Sequence, residues 1–206
     1  MDMWEVFQSA WGAVSGSDRE LVRKRYQVLI HHYTESHRHY HNLFHIQKML
    51  EESEELTFRK IYNKAQLQLG IFYHDYIYVP GALDNELQSK MVFEEDCRTL
   101  GLTDVPVQVS DMIMSTALYE TQGSVNPLGD LDLATLALPY DEYTYFGRLL
   151  FEEYGNRFIE SQMIEGRKEF LVKMLSLPKI FSNDLEMDSR AHANMGRQLA
   201  ELLRSK

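Results

Sequence analysis

The chain has 206 residues, with 21 Lys and Arg against 31 Asp and Glu and a formal net charge of −10. At roughly 150 residues per domain this is one domain, 1–206, and 44% hydrophobic with 25% charged residues excludes disorder. The negative field excludes general nucleic-acid binding, while leaving room for a small phosphorylated ligand held by a local cation.

Five prolines and eleven glycines are few, which favours helices over turn-rich β architecture. Trp4, Phe7 and Trp11 share one face of a first helix at about 3–12. Ser17-Asp18-Arg19-Glu20 reads as a capping box opening a helix to Tyr33, with Leu21, Tyr26, Leu29 and Ile30 as its apolar stripe. Leu43, Ile46, Met49 and Leu50 mark a third helix to about Leu56. The stretch near 60–78 is apolar on more than one face, so it reads as a central buried helix. Pro80-Gly81 breaks it. Asp84 then reads as the N-cap of a helix to Leu100, and Thr103-Asp104 with Pro106 opens another. Residues 120–130 hold the longest run of loop formers, followed by helical stretches at about 131–137, 140–155, 157–176 and 184–204. No strand alternation, repeat or linker is visible, so the expectation is a single all-α helical bundle.

The lone Cys97 cannot form an internal disulfide, which fits a reducing compartment. No basic region followed by an apolar run opens the chain, and no stretch approaches 18 uncharged apolar residues. A cytoplasmic protein with no membrane contact is expected, and its oligomeric state is left open.

Six of the eight histidines fall between His31 and His45. His37, His41 and His45 are four apart and stack on one face if that stretch is helical. Neutral imidazoles so arranged suit a borderline transition metal, and a solvated histidine-rich surface is the alternative. His74-Asp75 lies at the end of the most apolar helix, where two ionisable groups are costly unless paired or metal-bound. Asp130 and Asp132 flank Leu131 at the start of an apolar helix, where aspartates also act as caps.

The order His45, His74-Asp75, Asp132 resembles the HD superfamily of metal-dependent phosphohydrolases, all-helical domains with a His…His-Asp…Asp metal site. Tyr40-His41-Asn42-Leu43-Phe44-His45-Ile46, Phe72-Tyr73-His74-Asp75-Tyr76-Ile77-Tyr78, Asp84-Asn85-Glu86 and Asp130-Leu131-Asp132-Leu133 are similar to one small branch of predicted HD phosphohydrolases. Glu186…Arg190-Ala191…Asn194 is similar to that branch as well, so the likeness runs from about residue 30 to the last helix.

The resemblance implies that His45, His74, Asp75 and Asp132 are metal ligands, with His41 one turn before His45 as a competitor. Asp132 is preferred to Asp130 because an apolar run follows it, and Asp130 then reads as a cap. Two imidazoles and two carboxylates suit one divalent Mn, Co, Fe, Ni or Zn ion, and suit Mg less well. No histidine stands between Asp75 and His192, and Tyr119 stands where a supporting histidine would fall, which argues for one metal rather than two. Catalytic roles are expected for His41 as general acid, for Asp75, and for Glu86 as a group orienting water or acting as base. Arg38 and Arg190 are the expected phosphate clamps. Arg190 alternatively pairs with Glu186 near a core position at Ala193. Asp84 is grouped with the substrate-contacting residues, with an N-cap as its other role. Tyr76 and Tyr78 read as core. The expected activity is hydrolysis of a small phosphorylated molecule such as a nucleotide. The alternative is a non-catalytic, metal-containing module that senses a nucleotide or a partner.

Overall fold

The computed structural model describes residues 1–16, 18–56, 63–102, 104–118, 126–155, 157–182 and 184–204. Among these the regular structure is entirely helical, with no strand. No helix among them is long and apolar enough to cross a membrane. Ser17, Thr103, Tyr119 and most of the loop-rich stretch 120–130 lie outside the described residues. The chain divides into two compact units, Met1–Leu118 and Tyr119–Lys206.

The first unit holds α1 (Met3–Ser15), α2 (Arg19–Tyr33), α3 (Leu43–Leu56), α4 (Lys64–Tyr73), α5 (Asn85–Thr99) and α6 (Val107–Leu118). Helix α4 is its axis. Every residue from Leu67 to Tyr73 is buried, and α1, α3, α5 and α6 pack around it. Its partners meet it through rings: Phe7 lies edge-on to Phe72 at 5.0 Å, and Tyr73 lies edge-on to Phe93 at 5.2 Å. Burial of such side chains contributes about 1.5–3 kcal/mol each. Tyr33 closes the end of α4 by donating its hydroxyl to the Phe72 carbonyl at 3.1 Å.

Two expectations need correction here. The inward stripe of α2 is Val22, Leu29 and Tyr33, whereas Leu21 is 39% exposed. The N-cap of the helix is Asp18, whose carboxylate accepts from the Glu20 N–H. Helix α4 stops at Tyr73 rather than running to 78. Tyr76-Ile77-Tyr78-Val79 is rich in strand-forming residues, and Pro80 pushes Val79 out of the helical region.

The second unit holds α7 (Pro127–Asp132), a 3-10 segment (Leu133–Ala137), α8 (Tyr140–Tyr154), α9 (Glu160–Ser176) and α10 (Leu185–Arg204). Leu133, Leu136, Tyr143, Leu171, Phe181 and Met195 belong to its core. Helix α10 packs on α9 and on the 3-10 segment. Asn194 donates to the carbonyls of Leu136 and Leu138 at 2.9 and 2.8 Å. Ala191 and Met195 are the buried positions of α10, and Ala193 faces solvent.

Candidate metal centre

The sequence Gly70-Ile71-Phe72-Tyr73 carries α4 to its end at His74, whose N–H completes the last turn on the Gly70 carbonyl at 2.9 Å. The His74 ring folds back so that Nδ1 lies 2.9 Å from the Ile71 carbonyl. That acceptor fixes the proton on Nδ1 and leaves Nε2 with its lone pair outward. Nε2 lies 3.0 Å from Asp75 Oδ2 and 3.4 Å from His45 Nε2. His45 belongs to the first turn of α3, where Asn42 acts as the cap by accepting from the Phe44 N–H at 2.9 Å. His45 Nε2 is 4.0 Å from Asp75 Oδ2. Asp132 ends α7, which Pro127 opens and Asn126 caps through the Gly129 N–H.

His45, His74, Asp75 and Asp132 are all buried, and each offers one ligand atom within 4.8 Å of the other three. The donor set fits a metal. A metal–ligand bond of about 2.1 Å spaces two donors by about 3.0 Å at a right angle and about 3.4 Å at a tetrahedral angle. The His74–Asp75 and His74–His45 separations match those two values. Two imidazole nitrogens and carboxylate oxygens converging in a buried place also need a cation or shared protons between them.

The other expected site residues separate clearly. His41 Nε2 is 3.9 Å from Asp75 Oδ2, with the side chain 16% exposed, and His41 is not one of the four clustered donors. Glu86 is half-buried in the first turn of α5. Asp84 occupies the N-cap position of α5 without bonding the helix N–H groups, and accepts instead from Gln88 at 3.2 Å. Arg190 is 53% exposed on α10, with Glu186 3.8 Å away.

Arg38 is corrected. Its side chain has no exposure, and its guanidinium donates to Glu35, to the His41 and Asp75 carbonyls, and to the Tyr76 carbonyl. A fork with four of five N–H groups engaged and shut off from solvent does not clamp a phosphate. Asp130 is corrected too. It lies inside α7, and its carboxylate accepts from the N–H and hydroxyl of Ser182 at 2.9 and 2.7 Å. Burial holds that carboxyl above its ordinary range, against the downward pull of the Ser182 bonds.

Sequence reasoning missed the support behind the His-Asp pair. Five successive carbonyls, from Asp75 to Val79, each accept from a side chain. Arg38 takes Asp75 and Tyr76, Ser89 takes Ile77, His37 takes Tyr78, and Asn85 takes Val79. The Ile77 and Val79 N–H groups donate back to Ser89 and Asn85. This strap has no ladder of its own, so side chains satisfy its backbone. The available signal was Asn85 and Ser89 on one face of α5, directly after an irregular run.

The chain matches no protein-family model, no curated protein and no solved structure.

Proposed function

We propose that the protein is a metal-dependent phosphohydrolase of the HD type, acting on a small phosphorylated molecule such as a nucleotide. The observation that carries this reading is the buried group His45, His74, Asp75 and Asp132, with donor atoms within 4.8 Å. In a chain with a net charge of −10, a phosphate ester needs a local cation to approach. A divalent ion held by His45, His74, Asp75 and Asp132 would supply that charge, polarise a phosphoryl oxygen and lower the pKa of a water. The mixed N/O set favours Mn, Fe, Co, Ni or Zn over Mg.

The chain's own residues do the remaining work. His74 keeps its Nε2 lone pair available because Ile71 holds the Nδ1 proton. Asp75 serves as a ligand, and its carboxylate faces His41, whose Nε2 is 3.9 Å away. His41, more open to solvent than the ligands, gives a proton to the leaving oxygen. An imidazole ordinarily titrates near neutrality, which suits that task. Glu86 orients the attacking water. Of the two expected phosphate clamps, the Arg190 guanidinium reaches solvent and that of Arg38 does not.

The test is phosphate release over many turnovers from nucleotides, sugar phosphates and pyrophosphates with added manganese. Release is expected in the parent and lost, together with bound metal, in His74→Ala and Asp75→Ala. Release that persists in both variants overturns the reading. Saturable binding of a phosphorylated ligand without product replaces the enzyme with a sensor.

A further inference from the structure

Arg38 joins the two segments that carry the first three donors. It stands in the loop between α2 and α3, and its Nη1 donates to the His41 carbonyl at 3.2 Å and to the Asp75 carbonyl at 2.7 Å. Its Nη2 donates to the Tyr76 carbonyl at 3.0 Å. His41 opens the approach to α3, where His45 follows four residues on. Asp75 and Tyr76 form the turn that leaves α4 directly after His74. One planar guanidinium therefore grips the peptide of Asp75 and the strand of chain leading to His45. The Tyr33 and Tyr78 rings cover it, with centroids 5.0 and 5.6 Å from its central carbon. Glu35 orients it through a bond of 3.0 Å to Nε.

We propose that Arg38 is a positioning residue that sets the spacing of His45 against His74 and Asp75, and thereby the affinity and coordination geometry of the metal site. The proposal rests on the four-ligand reading above. A buried charge is retained against its desolvation cost only where its partners are well aligned, and here the partners are backbone carbonyls of the two ligand segments. A guanidinium spans three carbonyls in one plane, while an ammonium reaches them as a single point with freely rotating donors. The remaining strap clasps, His37, Ser89 and Asn85, lie further from the ligands along the chain. They hold Tyr78, Ile77 and Val79, whereas Arg38 bonds the carbonyl of the ligand Asp75 itself together with that of His41 on the approach to His45.

The experiment measures Co²⁺ binding to the full-length chain by competition with a chromophoric chelator, together with the visible spectrum of the bound cobalt. Arg38→Gln and Arg38→Lys are compared with the parent. Val22→Ala serves as a control, destabilised through the α2 core but touching none of these bonds. Both Arg38 variants are expected to bind cobalt 10–100-fold more weakly, the range for partners that orient metal ligands, with a changed spectrum. Val22→Ala is expected to keep the parent's affinity and spectrum at matched loss of thermal stability. Glu35→Gln leaves the guanidinium in place and loosens its orientation. It is expected to shift the affinity several-fold in the same direction, and it decides the matter if the Arg38 variants do not fold. A parent that binds no cobalt overturns the four-ligand reading and this proposal with it. A parent that binds, with Arg38 and Glu35 variants equal to it in affinity and spectrum, overturns the positioning role alone.

Discussion

Asp130 and Asp132 are two residues apart, yet they are expected to fail in different ways when removed. Asp132→Ala takes one of four converging donors, so metal affinity should fall by more than the 10–100-fold typical of an outer partner, and metal content with it. Asp130→Ala takes the acceptor of the Ser182 N–H at 2.9 Å and hydroxyl at 2.7 Å. Ser182 in turn accepts from the Asn126 N–H at 3.0 Å, so the cap residue of α7 loses support as well. Two charge-assisted bonds, offset in part by relief of the carboxylate's desolvation, come to about 2–3 kcal/mol. That corresponds to a fall in Tm of roughly 5–10 °C. Metal analysis after gel filtration, alongside thermal unfolding, separates the two. Metal content in Asp132→Ala equal to that of the parent refutes the ligand assignment. A loss of metal in Asp130→Ala as large as that in Asp132→Ala refutes the separation of roles.

Two further outcomes follow from the same geometry. Burial holds the Asp96 carboxyl above its ordinary range, against the downward pull of the Tyr73 hydrogen bond and the Arg25 charge. With the folded value raised, its contribution is fully present below about pH 4 and is lost as pH rises through that value. The stability of the parent relative to Asp96→Asn should therefore decline from pH 4 to 7, and a difference that stays flat over this range contradicts it. Arg190→Ala is expected to lower turnover about tenfold, or ~1.4 kcal/mol, with metal content unchanged. Full turnover in this variant removes Arg190 from substrate binding.

The four clustered donors were singled out in the sequence through a family resemblance in their order: a histidine in a helix start, a His-Asp pair ending an apolar run, and an aspartate before another. Their supports were not. Arg38 reads in sequence as a free cation beside histidines. Only the packed chain shows its guanidinium buried under Tyr33 and Tyr78, because burial of a charge depends on carbonyls 37 and 38 residues away. The end of α4 was misplaced for a related reason. Tyr76 and Tyr78 remain buried, so hydrophobicity continues after the helix stops, and the clasps from Ser89 and Asn85 have no local signature. Asp130 was misread because Asn126 takes the cap of α7, leaving the aspartate free to hold Ser182.

All four candidate ligands lie in terminal turns of helices or directly beyond them: His45 in the first turn of α3, His74 and Asp75 just after α4, and Asp132 at the last position of α7. A helix end turns the chain sharply and frees its backbone groups for other partners, which lets donors converge without bending a helix. The same freedom would let the donors drift, and a metal site tolerates little drift. The strap from Asp75 to Val79 answers this with one side-chain clasp per carbonyl, and the nearest of these comes from Arg38. The guanidinium that sequence reasoning assigned to the substrate is thus better suited to the architecture of the site.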